Sequence, residues 1–256
     1  MASSTAETRS DGFLGGRLRL EQPRRGYRAG MDAVMLAAAC PARPGEAVLE
    51  LGCGAGTAIL CLGRRVGGLA LSGLELQPAY AELAHRNAAA NGIALEVVEG
   101  DVAALPAALR GRGFDHVIAN PPWFTAGPAA SDPGRGTARH AVAPLGVWIA
   151  AGLRRLHPGG WLTLILDAAN LGAALAPLEG VAGEARVLPV AAREGRAAGR
   201  VIVAARKGAR GPLRLLAPFI LHAKPAHERD SEDLTPAAQA VFRDMLPLSL
   251  ECRGTG

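Results

Sequence analysis

The sequence predicts an α/β protein built on a doubly wound, mostly parallel sheet, and three observations predict it. Short apolar runs such as "EAVLEL", "LALSGLEL" and "GWLTLILD" alternate along the chain with longer amphipathic segments, the order expected of βαβ units. Several of these runs are continuously apolar rather than alternating, as in strands covered on both faces. Glycine- and proline-rich turns close the runs, and right-handed crossovers then wind helices onto both faces of the sheet.

Taken in order, "GRLRL" (Gly16 to Leu20) alternates with period two, and "RRGYRAG" after Pro23 is expected to pair with it as a hairpin. "DAVMLAAAC" reads as a short helix stopped before Pro41. "EAVLEL" is a strand, "AGTAILCLGRRV" a helix and "LALSGLEL" a strand. "PAYAELAHRNAAANG" is a helix with Pro78 in its first turn and Gly92 at its end. "LEVVEGD" is a strand, "FDHVIANPPW" a strand and turn, "VWIAAGLRRLHPGG" a helix and "GWLTLILD" a strand. Weaker signals give a helix near Leu171 to Leu178 and strands near Arg186 to Pro189 and Arg200 to Arg206. A last strand and helix fall within Leu213 to His222 and Thr235 to Met245. The expected organisation is a tail, hairpin and helix appendage over 1–44, joined to a main domain over 45–256 in one unit.

Composition narrows the functional classes. The 256 residues are 49% hydrophobic and 20% charged, without repeats or low-complexity tracts, which suits a globular protein. The start, "MASSTAETRSDG", lacks the apolar core of a secretion signal. No uncharged apolar stretch reaches bilayer length. The cysteines Cys40, Cys53, Cys61 and Cys252 lack metal-ligand spacing, so a cytoplasmic location, reduced thiols and no metal are expected. The net charge is +5, with one arginine group at Arg24, Arg25 and Arg28 and another from Arg193 through Arg196, Arg200, Arg206, Lys207 and Arg210 to Arg214. Such positive surfaces attract polyphosphate partners, RNA among them, although a solvated basic face reads the same way.

Chemistry concentrates in two stretches. In "VLELGCGAG" a strand runs into Gly52, Gly54 and Gly56 and a helix follows. Glycines at such a turn let a ligand approach the backbone. The third glycine of the dinucleotide pattern would fall at Thr57, so no pyrophosphate cradle is expected. The next strand ends in Glu75, placed to accept hydrogen bonds from a ribose diol. A third ends in Asp101, within reach of an exocyclic amine on an adenine ring. Glu50, Cys53, Leu76 and Val102 complete this candidate adenosine pocket.

The second stretch is "NPPW", Asn120 to Trp123, at the end of the next strand. Pro121 and Pro122 fix φ and remove two N–H donors, leaving carbonyl acceptors. The Asn120 side chain adds another acceptor, and Trp123 a flat apolar face. That set suits methyl transfer to a planar nitrogen. An amine whose lone pair is delocalised into a ring attacks once two acceptors on its N–H groups favour the pyramidal form. Stacking on Trp123 would hold an extruded base, and its ring also favours a nearby sulfonium. Arg135, Arg139 and His140, in the loop that follows, are candidate substrate contacts. His85 and His157 read as surface residues, His116 as packed or hydrogen-bonded, and Trp148 and Trp161 as core.

At "VLELGCGAG", Glu75, Asp101 and "NPPW" the chain resembles the class I S-adenosylmethionine-dependent methyltransferases that modify exocyclic or amide nitrogens. "GYRAGMDAVMLAAA", "RGTARH" and "FILHAKPAHERDSEDLTPAAQAVF" are similar to segments of the bacterial tRNA1(Val) adenine-N6 methyltransferase family. The resemblance spans about Leu18 to Phe242. It implies a Rossmann-like sheet, S-adenosylmethionine as cofactor, a tRNA partner rather than DNA or membrane, and a place near the methionine moiety for Gly30 and Asp32. Trp123 stands where the family commonly has tyrosine, and Met31 where it has a small polar residue. Methylation of a protein glutamine amide, or of guanine N2 in ribosomal RNA, is the alternative within enzymes. The glutamine enzymes carry a helical domain before the glycine-rich strand, where this chain has only about fifty residues. A non-catalytic adenosine- or RNA-binding module is the alternative outside them.

Overall fold

The computed structural model describes residues 7–122, 143–224 and 233–251. Its centre is a nine-stranded sheet. We label the strands β1 (Thr8–Phe13), β2 (Leu18–Pro23), β3 (Ala47–Leu51), β4 (Ala70–Glu75), β5 (Glu96–Glu99), β6 (Phe114–Ala119), β7 (Leu156–Asp167), β8 (Ala182–Ala191), β9 (Ala198–Lys207), β10 (Arg214–Leu215) and β11 (Phe219–Ile220). The helices are α1 (Met31–Ala39), α2 (Thr57–Arg65), α3 (Pro78–Ala90), α4 (Ala107–Arg110), α5 (Leu145–Arg155), α6 (Leu171–Leu175) and α7 (Pro236–Phe242). The order across the sheet is β10-β8-β9-β7-β6-β3-β4-β5, with β11 also pairing β8. Strands β3 to β7 run parallel to one another, and β9 enters antiparallel between β7 and β8. The mostly parallel, doubly wound expectation therefore holds.

Alternation along the central strands sorts side chains onto two faces. Val48, Ile118, Ile165 and Ile202 join one core with α1, α2 and the buried Leu18 and Leu20 of β2. Leu49, Leu51, Val117, Leu162 and Leu164 join the other with Trp148, Ile149 and Leu153 of α5. Beyond Asp32 in its first turn, helix α1 is apolar all round, and Ala33 to Ala39 are buried, as a helix enclosed by a sheet and further elements must be.

Several sequence expectations shift. The partner of β2 is β1, with Phe13 opposite Leu18 and Thr8 opposite Pro23; the stretch after Pro23 is a loop. β1 is polar and half-exposed, so no hydrophobic pattern announced it. The strand expected within Leu213 to His222 is two separate two-residue strands on the edge of β8. Trp148 is buried, but Trp161 is only partly so, with the Arg186 guanidinium 4.6 Å from its ring centroid. His85 and His157 are exposed; His116 is buried with Nε2 2.8 Å from Glu46 Oε2. Among the described residues no helix is long and apolar enough to cross a membrane, and Cys40, Cys53 and Cys61 are buried free thiols.

Candidate active site

Register brings the two chemical stretches together. Leu51 lies opposite Leu74 on one side and Ala119 on the other. The strands therefore end side by side and deliver Gly52, Glu75 and Asn120 to one rim, the carboxyl edge where open α/β sheets bind ligands.

The loop from Gly52 to Gly56 is shaped by glycine in two ways. Gly52 has φ of +67°, and a Cβ there would lie 2.7 Å from the Trp148 ring, so any larger residue meets both backbone strain and a wall. Gly54 has φ of +55° with open space where its Cβ would be. The turn closes through Gly56 N–H on Cys53 O at 2.8 Å and is hung on β4 by Cys53 N–H to Leu74 O at 2.9 Å.

Two carboxylates brace this loop. Glu75, buried at the end of β4, accepts the Gly54 N–H at 2.9 Å and the Gln77 N–H at 2.8 Å. Glu50, buried in β3, accepts the Ile59 N–H of α2 at 2.9 Å. Burial pushes the Glu50 carboxyl well above its usual range, the Ile59 N–H opposes the rise and Glu75 adds to it. Burial, with Glu50 and Glu75 nearby, also raises the Cys53 thiol, which makes it an inert wall rather than a nucleophile. Asn87 of α3 ties the hairpin to the same loop. It donates to Glu21 O at 3.0 Å and Ala55 O at 2.9 Å, and accepts the Glu21 N–H at 2.7 Å.

A cavity opens above the loop. Of the residues singled out in the sequence, Glu50, Gly52, Cys53, Gly54 and Asn120 line it. Gly56, Glu75, Leu76, Asp101, Val102, Gly30 and Asp32 lie outside its lining, Glu75 behind the Gly54 backbone and Gly30 at the N-terminus of α1. Leu76 is 53% exposed, Val102 is buried, and Asp101 accepts the Ala103 N–H at 2.8 Å. Asp32 pairs with Arg200 at 3.4 Å; burial raises its carboxyl and Arg200 works against that rise. Pro121 is buried and Pro122 exposed. Trp123, Arg135, Arg139 and His140 lie outside the described residues.

The cavity also holds residues the sequence reading missed: Gln22, Tyr27, Thr57 and Tyr80. Thr57 directly follows the loop glycines, and that position was its only signal. Its Oγ1 is buried in the cavity wall without a hydrogen-bond partner. A buried hydroxyl left unpaired is costly, so this wall is built to meet a polar ligand. Glycine backbone, the Glu50 carboxyl, the Thr57 hydroxyl and two tyrosine rings around the cavity match an adenosine carrying an amino-acid tail. The residues fit S-adenosylmethionine.

The basic clusters are divided by the sheet. Arg200 is paired with Asp167 across β9 and β7, at the rim end, whereas Arg206 pairs with Trp161 nearer the opposite end. Several members are engaged within the chain. Arg193 meets Asp233 at 2.9 Å, Arg200 meets Asp32 and also Asp167 at 3.5 Å, Arg206 meets Glu184 at 3.7 Å, and Lys207 donates to Leu156 O at 2.7 Å.

Comparison with known proteins agrees with this geometry. A family model described as a methyltransferase domain matches residues 48–131. A tRNA1(Val) (adenine(37)-N6)-methyltransferase of Dickeya chrysanthemi is 29% identical over 83% of this chain and 86% of its own length. One of Aeromonas hydrophila is 30% identical over 63% of this chain and 68% of its own. Among solved structures, a protein of Agrobacterium tumefaciens described as a predicted O-methyltransferase superposes with a TM-score of 0.66 at 26% identity, covering 82% of this chain and 94% of that one. A 16S rRNA N2 methyltransferase of Thermus thermophilus, solved with AdoMet and guanosine, shares the fold at a TM-score of 0.56 and 20% identity, over 78% of this chain and 50% of that one. The chain belongs to the class I S-adenosylmethionine-dependent methyltransferases and is similar, within them, to the tRNA1(Val) (adenine(37)-N6)-methyltransferases.

Proposed function

We propose that this methyltransferase acts on an exocyclic amine of RNA, the N6 amine of a tRNA adenine, and works in the cytoplasm. The observation that carries the reading is Asn120 at the wall of the cofactor cavity, beside Gly52 and ahead of two prolines. The names of the curated relatives support the choice of tRNA adenine.

In this reading Gly52, Cys53, Gly54, Gly56, Glu50 and Thr57 hold the amino-acid end and the body of the cofactor, with Gly30 and Asp32 beside the methionine moiety. Glu75 takes the ribose diol, and Leu76, Asp101 and Val102 the adenine. Bound S-adenosylmethionine supplies an electrophilic methyl group on a sulfonium. Asn120 Oδ1 and the Pro121 carbonyl accept the two N–H groups of the acceptor amine, and Trp123 stacks on its base. These acceptors gain strength as the nitrogen turns pyramidal, so they stabilise the transition state more than the bound substrate. No strong base is required, because the nitrogen sheds its proton after it has become cationic. Arg135, Arg139 and His140 contact the RNA.

The test is direct. Purified protein, S-adenosylmethionine and unmodified bulk tRNA should yield N6-methyladenosine on nucleoside mass spectrometry. N2-methylguanosine in ribosomal RNA, or methylated glutamine in protein with none in tRNA, would replace this reading with one of its alternatives.

A further inference from the structure

Tyr27 projects from the loop between β2 and α1, and polar contacts hold that loop shut. Gln22 is 2% exposed. Its Oε1 accepts the Ala29 N–H at 2.8 Å, and its Nε2 donates to Ala29 O at 3.2 Å and Asp11 Oδ2 at 2.9 Å. At the turn, Gly26 has φ of +104°, and a Cβ there would lie 3.1 Å from Tyr80 Oη. Only glycine lets the loop come this close to α3 without strain. Tyr80 uses that approach to donate to the Tyr27 carbonyl at 3.0 Å. The Tyr27 backbone is thereby fixed from the hairpin side and from α3.

The side chain continues to the catalytic turn. Asn120 Nδ2 donates to Tyr27 Oη at 3.2 Å, across 93 residues of sequence. The tyrosine is 59% exposed overall; partial burial, with Asp32, Glu50 and Tyr80 nearby, pushes its hydroxyl up to about 12. It therefore stays protonated at working pH.

A primary amide has two ends of opposite sense, an acceptor oxygen and a donor nitrogen. If Asn120 flipped, its NH2 would face the N–H groups of the acceptor amine and the turn would lose one of its two acceptors. We propose that Tyr27 is a positioning residue: its hydroxyl holds the nitrogen end of the Asn120 amide, so that Oδ1 is presented to the acceptor amine. This rests on the role given to Asn120 above. The link also couples the hairpin loop to the catalytic turn, so a hydroxyl outside the nucleotide-binding loops sets the orientation of the group beside the reacting nitrogen.

Two measurements on the full chain test it. The first needs no substrate. In a 15N spectrum the Asn120 side-chain amide, identified by its loss in Asn120→Ala, should shift in Tyr27→Phe and exchange its hydrogens faster. An unmoved resonance overturns the contact. The second is kinetic. Tyr27→Phe should lower kcat on tRNA by about tenfold, near the worth of one neutral hydrogen bond. The KM for S-adenosylmethionine should change far less than kcat, because Tyr27→Phe keeps the ring that lines the cofactor cavity and removes only the hydroxyl bonded to Asn120. On an Asn120→Ala background the same change should have almost no further effect, since the two residues act as one unit. Multiplicative losses in the double variant, or an equal loss in cofactor affinity, would overturn the positioning role. If the parent methylates no tRNA, the tRNA reading fails, while the amide resonance still decides the contact.

Discussion

The backbone N–H of Gly54 donates to Glu75 Oε2 at 2.9 Å. The last residue of β4 thus fixes the middle of the loop that leaves β3, and its other oxygen holds Gln77 at the entry to α3. One carboxylate organises two strand-to-helix turns before any ligand arrives, which is how a loop of glycines keeps a defined shape.

Glu75→Ala should weaken binding of S-adenosylhomocysteine by about 1–3 kcal/mol, the range for losing charge-assisted hydrogen bonds. Glu75→Gln keeps the volume but sets a donor against one of two backbone N–H groups, so it should also bind more weakly than the parent. Calorimetry checks both, and unchanged affinity would remove Glu75 from the site. NAD should not bind, since Thr57 stands where a dinucleotide loop has its third glycine.

The Glu50 carboxyl predicts a pH dependence of stability. Unfolded, it releases its proton near the ordinary 4.5; folded, burial holds the proton to higher pH. Above 4.5 the native state binds more protons than the unfolded chain, so stability falls as pH rises through the window up to the native value. Glu50→Gln keeps an acceptor for the Ile59 N–H and removes that slope. Thermal unfolding at about pH 5 and about pH 8 should show the parent losing more stability than the variant. Parallel losses would mean that Glu50 is not a protonated buried acid in this range.

Binding of tRNA should weaken steeply with salt, whereas S-adenosylhomocysteine binding should barely change. Replacing Arg135 and Arg139 should raise the KM for tRNA without unfolding the protein. Arg200 should behave differently. It already sits between Asp32 and Asp167, so Arg200→Ala should disturb the rim while leaving the salt slope nearly intact. Flat salt dependence would point to a protein or small-molecule substrate.

The central strands and helices were legible because burial on both faces forces apolar runs and amphipathic helices, and Val48 to Leu51 and Ala58 to Leu62 carry that signal plainly. The glycine loop and the Asn-Pro-Pro turn were legible for another reason: strand ends in a parallel sheet must converge on one rim. The partner of β2 was not legible, because Thr8 to Phe13 is a polar edge strand held by register and by Asp11, which accepts from Gln22 and Arg28. Gln22, Tyr27, Thr57 and Asn87 were invisible for a shared reason. Each is a polar residue whose value lies in a partner far along the chain or in a ligand, and neither periodicity nor spacing records such a pairing.

The most direct measurement is the rate of Asn120→Ala on tRNA, taken beside its affinity for S-adenosylhomocysteine. Removing one acceptor should leave the fold and the cofactor affinity near parental values. Turnover, read as N6-methyladenosine formed, should fall by about 10²–10³-fold, as when a preorganised oxyanion-hole donor is lost. Trp123→Tyr should keep much of the activity and Trp123→Ala little, because only the former keeps a stacking face. Methylation of tRNA adenine by Asn120→Ala at the parental rate would contradict the account.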